Sequence, residues 1–100
     1  MATKDYDKFL TETLSDPEIA ANYLSAAAEG GALDELMLAL KSVADAHGGL
    51  GNIAEIADLN RQNVYKILSE DGNPTIKSLL AILKAIGIKI NFEPDEKEAA

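Results

Sequence analysis

The chain contains no cysteine and no tryptophan, and its single histidine is His47. Without thiols it has no disulfide framework, no thiolate zinc site and no cysteine nucleophile, and one imidazole does not make a histidine-based metal centre. Aromatic residues are 5% of the chain, so a core has to come from aliphatic side chains. Long apolar runs are missing too. Asp, Glu, Lys or Asn interrupts each stretch well short of the roughly 20 residues that a membrane span requires. The start, MATKDYDKF, lacks a basic segment followed by an apolar one, so no secretory signal is expected and the chain reads as cytoplasmic. Carboxylates are plentiful, but no glycine-rich phosphate loop, ligand cluster or nucleophile and base pair accompanies them. The sequence therefore reads as a non-enzyme with no cofactor and no metal.

What is present is material for one small core: 100 residues, 47% of them hydrophobic, too few for a second independent domain. Nine basic residues stand against 17 acidic ones, a net charge of −8 that in bulk argues against a polyanion partner. The distribution says more. Residues 1–50 hold Lys4, Lys8 and Lys41 against nine acids, which is −6. Residues 60–92 hold Arg61, Lys66, Lys77, Lys84 and Lys89 against Glu70 and Asp71, which is +3. An acidic front and a mildly basic back suggest two partners of opposite charge, although a merely soluble acidic protein would give the same total.

Helix signals recur along the chain. Asp16 can cap free amides, Pro17 suits the first helical position, and Glu18 suits the positive end of a helix dipole. Ile19, Ala20, Tyr23, Leu24, Ala27 and Ala28 then keep helical spacing until Gly30 and Gly31. Upstream, Tyr6, Phe9, Leu10 and Leu14 form a weaker stripe, a short helix that needs neighbours or a partner. From Leu33 a further stripe runs through Leu36, Met37, Leu40, Val43, Ala44 and His47 to Gly48 and Gly49. His47 is expected to serve the helix end or be partly buried rather than to ligate. Asn52 and Glu55 have the spacing of a capping box opening a helix through Ile53, Ala54 and Ala57. Asp58, Leu59 and Asn60 make the turn, and Asn60 can cap a second helix over residues 61–68.

That second helix buries Val64, Ile67 and Leu68 on one side and leaves Gln62, Asn63, Tyr65 and Lys66 on the rest. Helix, three-residue turn, helix is the helix-turn-helix pattern. Gly72, Asn73, Pro74 and Thr75 then signal a turn and a helix start, followed by a stripe of Ile76, Leu79, Leu80, Leu83 and Ile86 up to Gly87. The period next switches to two. Ile88, Ile90 and Phe92 alternate with Lys89, Asn91 and Glu93, which predicts one short strand whose partner is the same strand of a second copy. Residues 94–100 are charged and expected to be a disordered tail.

Residues 51–90 resemble the lambda-repressor-like (Cro and XRE type) helix-turn-helix domain. The match lies in Ile53, Ala54 and Glu55, in Leu59 and Asn60, in Arg61 and residues 64–67, and in Asn73, Pro74 and Thr75. Ala54 is small where two helices cross closely, and Asp58 stands where the family usually has Gly, a position with positive φ. With DPEIAANYLSAA, ELMLALKSVADAHGG and LSEDGNPTIKSLLAILKAIGIKI, the chain over about residues 5–92 is similar to the addiction-module antidote proteins, a HigA-like group of antitoxins.

The resemblance implies a mainly α fold: a five- to six-helix lambda-repressor-like domain with one short C-terminal strand. It implies an antitoxin that neutralises a small basic RelE/ParE-like toxin by direct binding and represses its own operon on double-stranded operator DNA. A stand-alone helix-turn-helix regulator with no toxin partner is the other reading. The chain divides into an acidic N-terminal helical segment (1–32), the DNA-binding domain with its strand (33–93) and the tail (94–100). Candidate DNA contacts are Asn60, Arg61, Gln62, Asn63, Tyr65 and Lys66. Gln62 and Asn63 are adenine readers or plain polar surface, Arg61 suits guanine or phosphate, and Lys66 suits phosphate. Tyr65 reaches a phosphate or a thymine methyl, or packs on a neighbouring helix. Toxin contacts are expected at Tyr6, Phe9, Leu10 and Leu14, and homodimer contacts at Ile88, Ile90 and Phe92.

Overall fold

Six helices follow one another in the computed structural model, which describes residues 2–69 and 71–96: α1 (Ala2–Leu14), α2 (Pro17–Glu29), α3 (Leu33–Ala46), α4 (Leu50–Ala57), α5 (Arg61–Ile67) and α6 (Ile76–Ile86). The caps explain several boundaries. Asp16 is extended, and its carboxylate accepts hydrogen bonds from the amides of Glu18 (2.9 Å) and Ile19 (3.4 Å), with Pro17 opening α2. Thr75 does the same for α6 by accepting from the Ser78 amide at 3.0 Å. Gly87 ends α6 in the left-handed region, with Ile88 N–H donating to the Leu83 carbonyl and Gly87 N–H to Lys84.

Two sequence expectations need correction. The Asn52 and Glu55 capping box is not formed: α4 starts at Leu50, Gly49 occupies the cap position without a side-chain bond, and Asn52 lies in the first turn. Burial decides this. Leu50, Ile53 and Ala54 are all in the core, and one helix can place them on one face only if it begins at Leu50. The second correction is that residues 88–92 form no strand, and none is found among the described residues. A ladder needs a second strand, and these residues meet none among the described residues. Ile88 instead packs against the helical core, Ile90 is partly exposed and Phe92 is 95% exposed. The protein is mainly helical, with six helices among the described residues. Of the expected tail, residues 94–96 are exposed, and residues 97–100 lie outside the described residues.

The core is one cluster centred on α3, which contributes Met37, Leu40, Val43 and Ala44. α1 and α2 pack on α3 from one side, and α3 meets α4, which packs in turn on α5 and α6. Leu14, Ala20 and Leu24 therefore share a core with Ile53, Val64 and Ile82. Each fully buried Leu or Ile contributes about 1.5–3 kcal/mol relative to exposure. His47 joins the ends of two helices: its ring Nε2 donates to the Leu14 carbonyl at 2.9 Å, and the ring is half-buried. No described helix is long and apolar enough to cross a membrane.

Candidate nucleic-acid interface

α4, a turn over residues 58–60 and α5 form the helix pair expected from the sequence. The turn is built by the backbone. Leu59 N–H donates to the Ala54 carbonyl at 2.9 Å and Asp58 N–H to the Glu55 carbonyl at 3.2 Å, the paired bonds of a Schellman ending. That ending needs a left-handed residue, and Asp58 supplies it at φ 57, ψ 46. It is the only non-glycine residue with positive φ among those described. Asn60 then caps α5, its side chain accepting from the Asn63 amide at 3.0 Å. Ala54, Val64 and Ile67 are buried where the two helices meet the core.

Burying Val64 and Ile67 turns the opposite face of α5 outward. Arg61, Gln62, Asn63, Tyr65 and Lys66 are all exposed there, and α5 carries no acidic residue. Asn60 is exposed as well, but its side-chain oxygen is committed to the cap. Tyr65, 47% exposed, is turned toward solvent and toward Arg61 rather than into the core. The Arg61 Nη2 donates to the Tyr65 hydroxyl at 3.4 Å, and its guanidinium carbon lies 5.7 Å from the ring centroid. The hydrogen bond to the Tyr65 hydroxyl, followed by their charge interaction, raises the Arg61 pKa above its ordinary value, so the side chain stays a cation.

Gly51, which the sequence did not single out, sets the place of this pair. A Cβ on Gly51 would stand 3.2 Å from Arg61 Cζ, so the bare backbone of α4 leaves room for the guanidinium. The signal was hidden because Gly51 reads as a loop residue until α4 is known to begin at Leu50. A polar cleft beside Arg61 also takes in Lys41, Asp45, Asn52 and Glu55. Lys41 and Asp45 pair at 3.3 Å across one turn of α3. The surroundings of α5 are thus mixed in charge, which favours short-range recognition over long-range steering.

A family profile described as "Probable addiction module antidote protein" matches residues 3–94. The chain belongs to this antidote family. The antidote chain is also 29% identical over 90 residues to an uncharacterized protein of Haemophilus influenzae (strain ATCC 51907 / DSM 11121 / KW20 / Rd), covering 90% of each. No solved structure shows significant similarity to it. Membership implies in general terms an antitoxin with a toxin partner.

The remaining candidate residues of the antidote fall in different environments. Of the expected toxin contacts, Tyr6 and Phe9 are 59% and 63% exposed on α1, whereas Leu10 is half-buried against the core. Leu14 is 1% exposed and belongs to the core, so it offers no surface to a partner. Asp5, Asp7 and Glu12 are exposed on the same helix. Ile88, Ile90 and Phe92 lie together at the end of α6, far along the chain from α1. Among the described residues, no group of three or more His, Asp or Glu is placed to hold a metal ion.

Proposed function

We propose that this antidote chain is an operator-binding antitoxin whose α4 and α5 act as a lambda-repressor-like helix-turn-helix, with α5 entering the major groove. The observation that carries the reading is the outer face of α5: five exposed polar or aromatic residues, two of them cations and none acidic, on a helix anchored by Val64 and Ile67. Gln62 and Asn63 have the amides that pair with adenine N6 and N7. Arg61 and Lys66 suit guanine or phosphate oxygens, and Tyr65 orients Arg61. Two copies joined near Ile88, Ile90 and Phe92 would read an inverted repeat with half-sites about 34 Å apart. The activity is binding, not catalysis.

The toxin side of the reading rests on α1. Exposed Tyr6 and Phe9 supply aromatic anchors, and the surrounding carboxylates attract a small basic RelE/ParE-like protein. Deleting everything before Leu33 would strip Leu14, Ala20 and Leu24 from the core, so point changes on exposed residues are the sound test. The combined change Tyr6→Ala and Phe9→Ala should leave the fold and DNA binding intact and abolish rescue of cells from the cognate toxin; full rescue would remove α1 from the toxin contact. On the DNA side, Gln62→Ala or Asn63→Ala should cost about 1–3 kcal/mol on the cognate operator in gel-shift titrations. Lys66→Ala should weaken all sequences alike and flatten the salt dependence. Unchanged affinity in all three variants removes the recognition-helix assignment.

A further inference from the structure

The surface around α6 carries both halves of a self-complementary joint. An open apolar groove runs between α6 and residues 87–92, with buried Leu83 and half-buried Ile88 at its base and Ile76, Leu80 and Ile90 exposed along it. Among the described residues its charged lining is Lys84 and Lys89, with no acid. At its edge stands Phe92, 95% exposed, followed by the exposed carboxylate of Glu93. A benzyl side chain held in water beside an apolar groove is poorly placed energetically, because burying it would remove roughly 150–250 Å² from solvent.

We infer that a second copy of this chain occupies the groove, each copy inserting its Phe92 between α6 and residues 87–92 of the other while its Glu93 meets Lys84 and Lys89. This deepens the two-copy reading above and rests on it. Three observations select this occupant. First, residues 93–100, EPDEKEAA, contain no large apolar side chain with which to fill the groove. Second, knob and groove lie side by side on one surface, as a two-fold interface requires, where every contact is made twice. Third, the charges match locally: an acid follows the knob and lysines edge the groove. That matters for copies of net charge −8, which repel at longer range. The unpaired 88–92 segment is thereby covered by side-chain packing and needs no β-ladder.

The test is sedimentation equilibrium of the full chain without DNA, over a concentration series. Wild type should dimerise. Phe92→Ala should weaken association at least about thirty-fold, the loss expected of a central aromatic anchor, and helical circular dichroism should not change because Phe92 is exposed. Leu80→Glu should act in the same direction. Lys84→Glu and Glu93→Lys should each weaken the dimer several-fold, and combining them should restore part of the loss. A wild-type dimer that Phe92→Ala leaves unchanged, or a charge reversal with no recovery, overturns this arrangement while the two-copy reading stands. A wild type that stays monomeric at every concentration overturns both.

Discussion

Asp58 offers a test of how the α4–α5 turn is held. It occupies the left-handed position of a Schellman ending at φ 57, and the same molecule uses Gly87 for the equivalent ending of α6. An L-residue in that region costs about 1–2 kcal/mol, less for Asp and Asn, whose short side chains tolerate it. The Asp58 carboxylate also sits at the negative end of α4, which costs about a further 0.3–1 kcal/mol at low salt. Asp58→Gly removes both penalties but gives the unfolded chain more freedom, worth about 0.5–1 kcal/mol against it. The net expectation is a gain of about 0.5–1 kcal/mol, or about 2–8 °C in Tm for a domain of this size. Asp58→Asn keeps the backbone preference and removes the charge, so its gain should shrink as salt rises. Asp58→Val should lose about 1–2 kcal/mol, since a branched side chain fits that region poorly. Thermal unfolding of the parent and the three variants, followed by circular dichroism at 20 mM and 500 mM salt, gives all three changes. A glycine variant no more stable than the parent, together with a harmless valine, would mean that the turn does not hold Asp58 in this conformation.

Gly51→Ala should separate stability from binding: a glycine inside α4 costs about 1 kcal/mol against alanine, so the fold should gain about 0.5–1 kcal/mol. The displaced Arg61 should lower operator affinity in the same protein; a variant that binds as well as the parent would show that the place of Arg61 is immaterial. Gly72→Ala should lower stability by about 2–3 kcal/mol in urea titrations, because a Cβ there would overlap the carbonyl oxygen of Ile67, a backbone atom that cannot swing aside. Leu14→Ala should cost about 2–5 kcal/mol as a core truncation, whereas Tyr6→Ala and Phe9→Ala should each stay within about 0.5 kcal/mol of the parent. Equal effects at the three positions would contradict the division of α1 into a buried and an open side.

What the sequence determined on its own are the features whose causes act within about one helical turn. Asp16 with Pro17 starts α2, Thr75 starts α6, Asn60 caps α5 and Gly87 ends α6, while the positive φ at Asp58 is implied by the resemblance to the helix-turn-helix family. The three caps are side chains accepting from amides two or three residues on, and Gly87 acts through its own backbone freedom, so the local residues settle them. The apolar stripes likewise settled that the chain is mainly helical and that Met37, Leu40, Val43 and Ala44 of α3 face inward, although Leu33 of the same stripe is exposed and Ala39 outside it is buried. Tertiary structure decided whatever depends on residues distant in sequence. Leu50 drew the start of α4 ahead of a plausible capping box because its burial against the core outweighs a surface cap worth about 1 kcal/mol. On α1, Leu14 went to the core while Tyr6 and Phe9 stayed in solvent, a division set by where α3 lies and not by the stripe itself. The pairing of His47 with the Leu14 carbonyl, 33 residues apart, and the room that Gly51 leaves for Arg61 exist only once the helices have docked. Residues 88–92 alternate as a strand should, but a strand is made by its neighbour; within the folded chain these residues lie beside helices and take no regular structure, with Ile88 packed on the core.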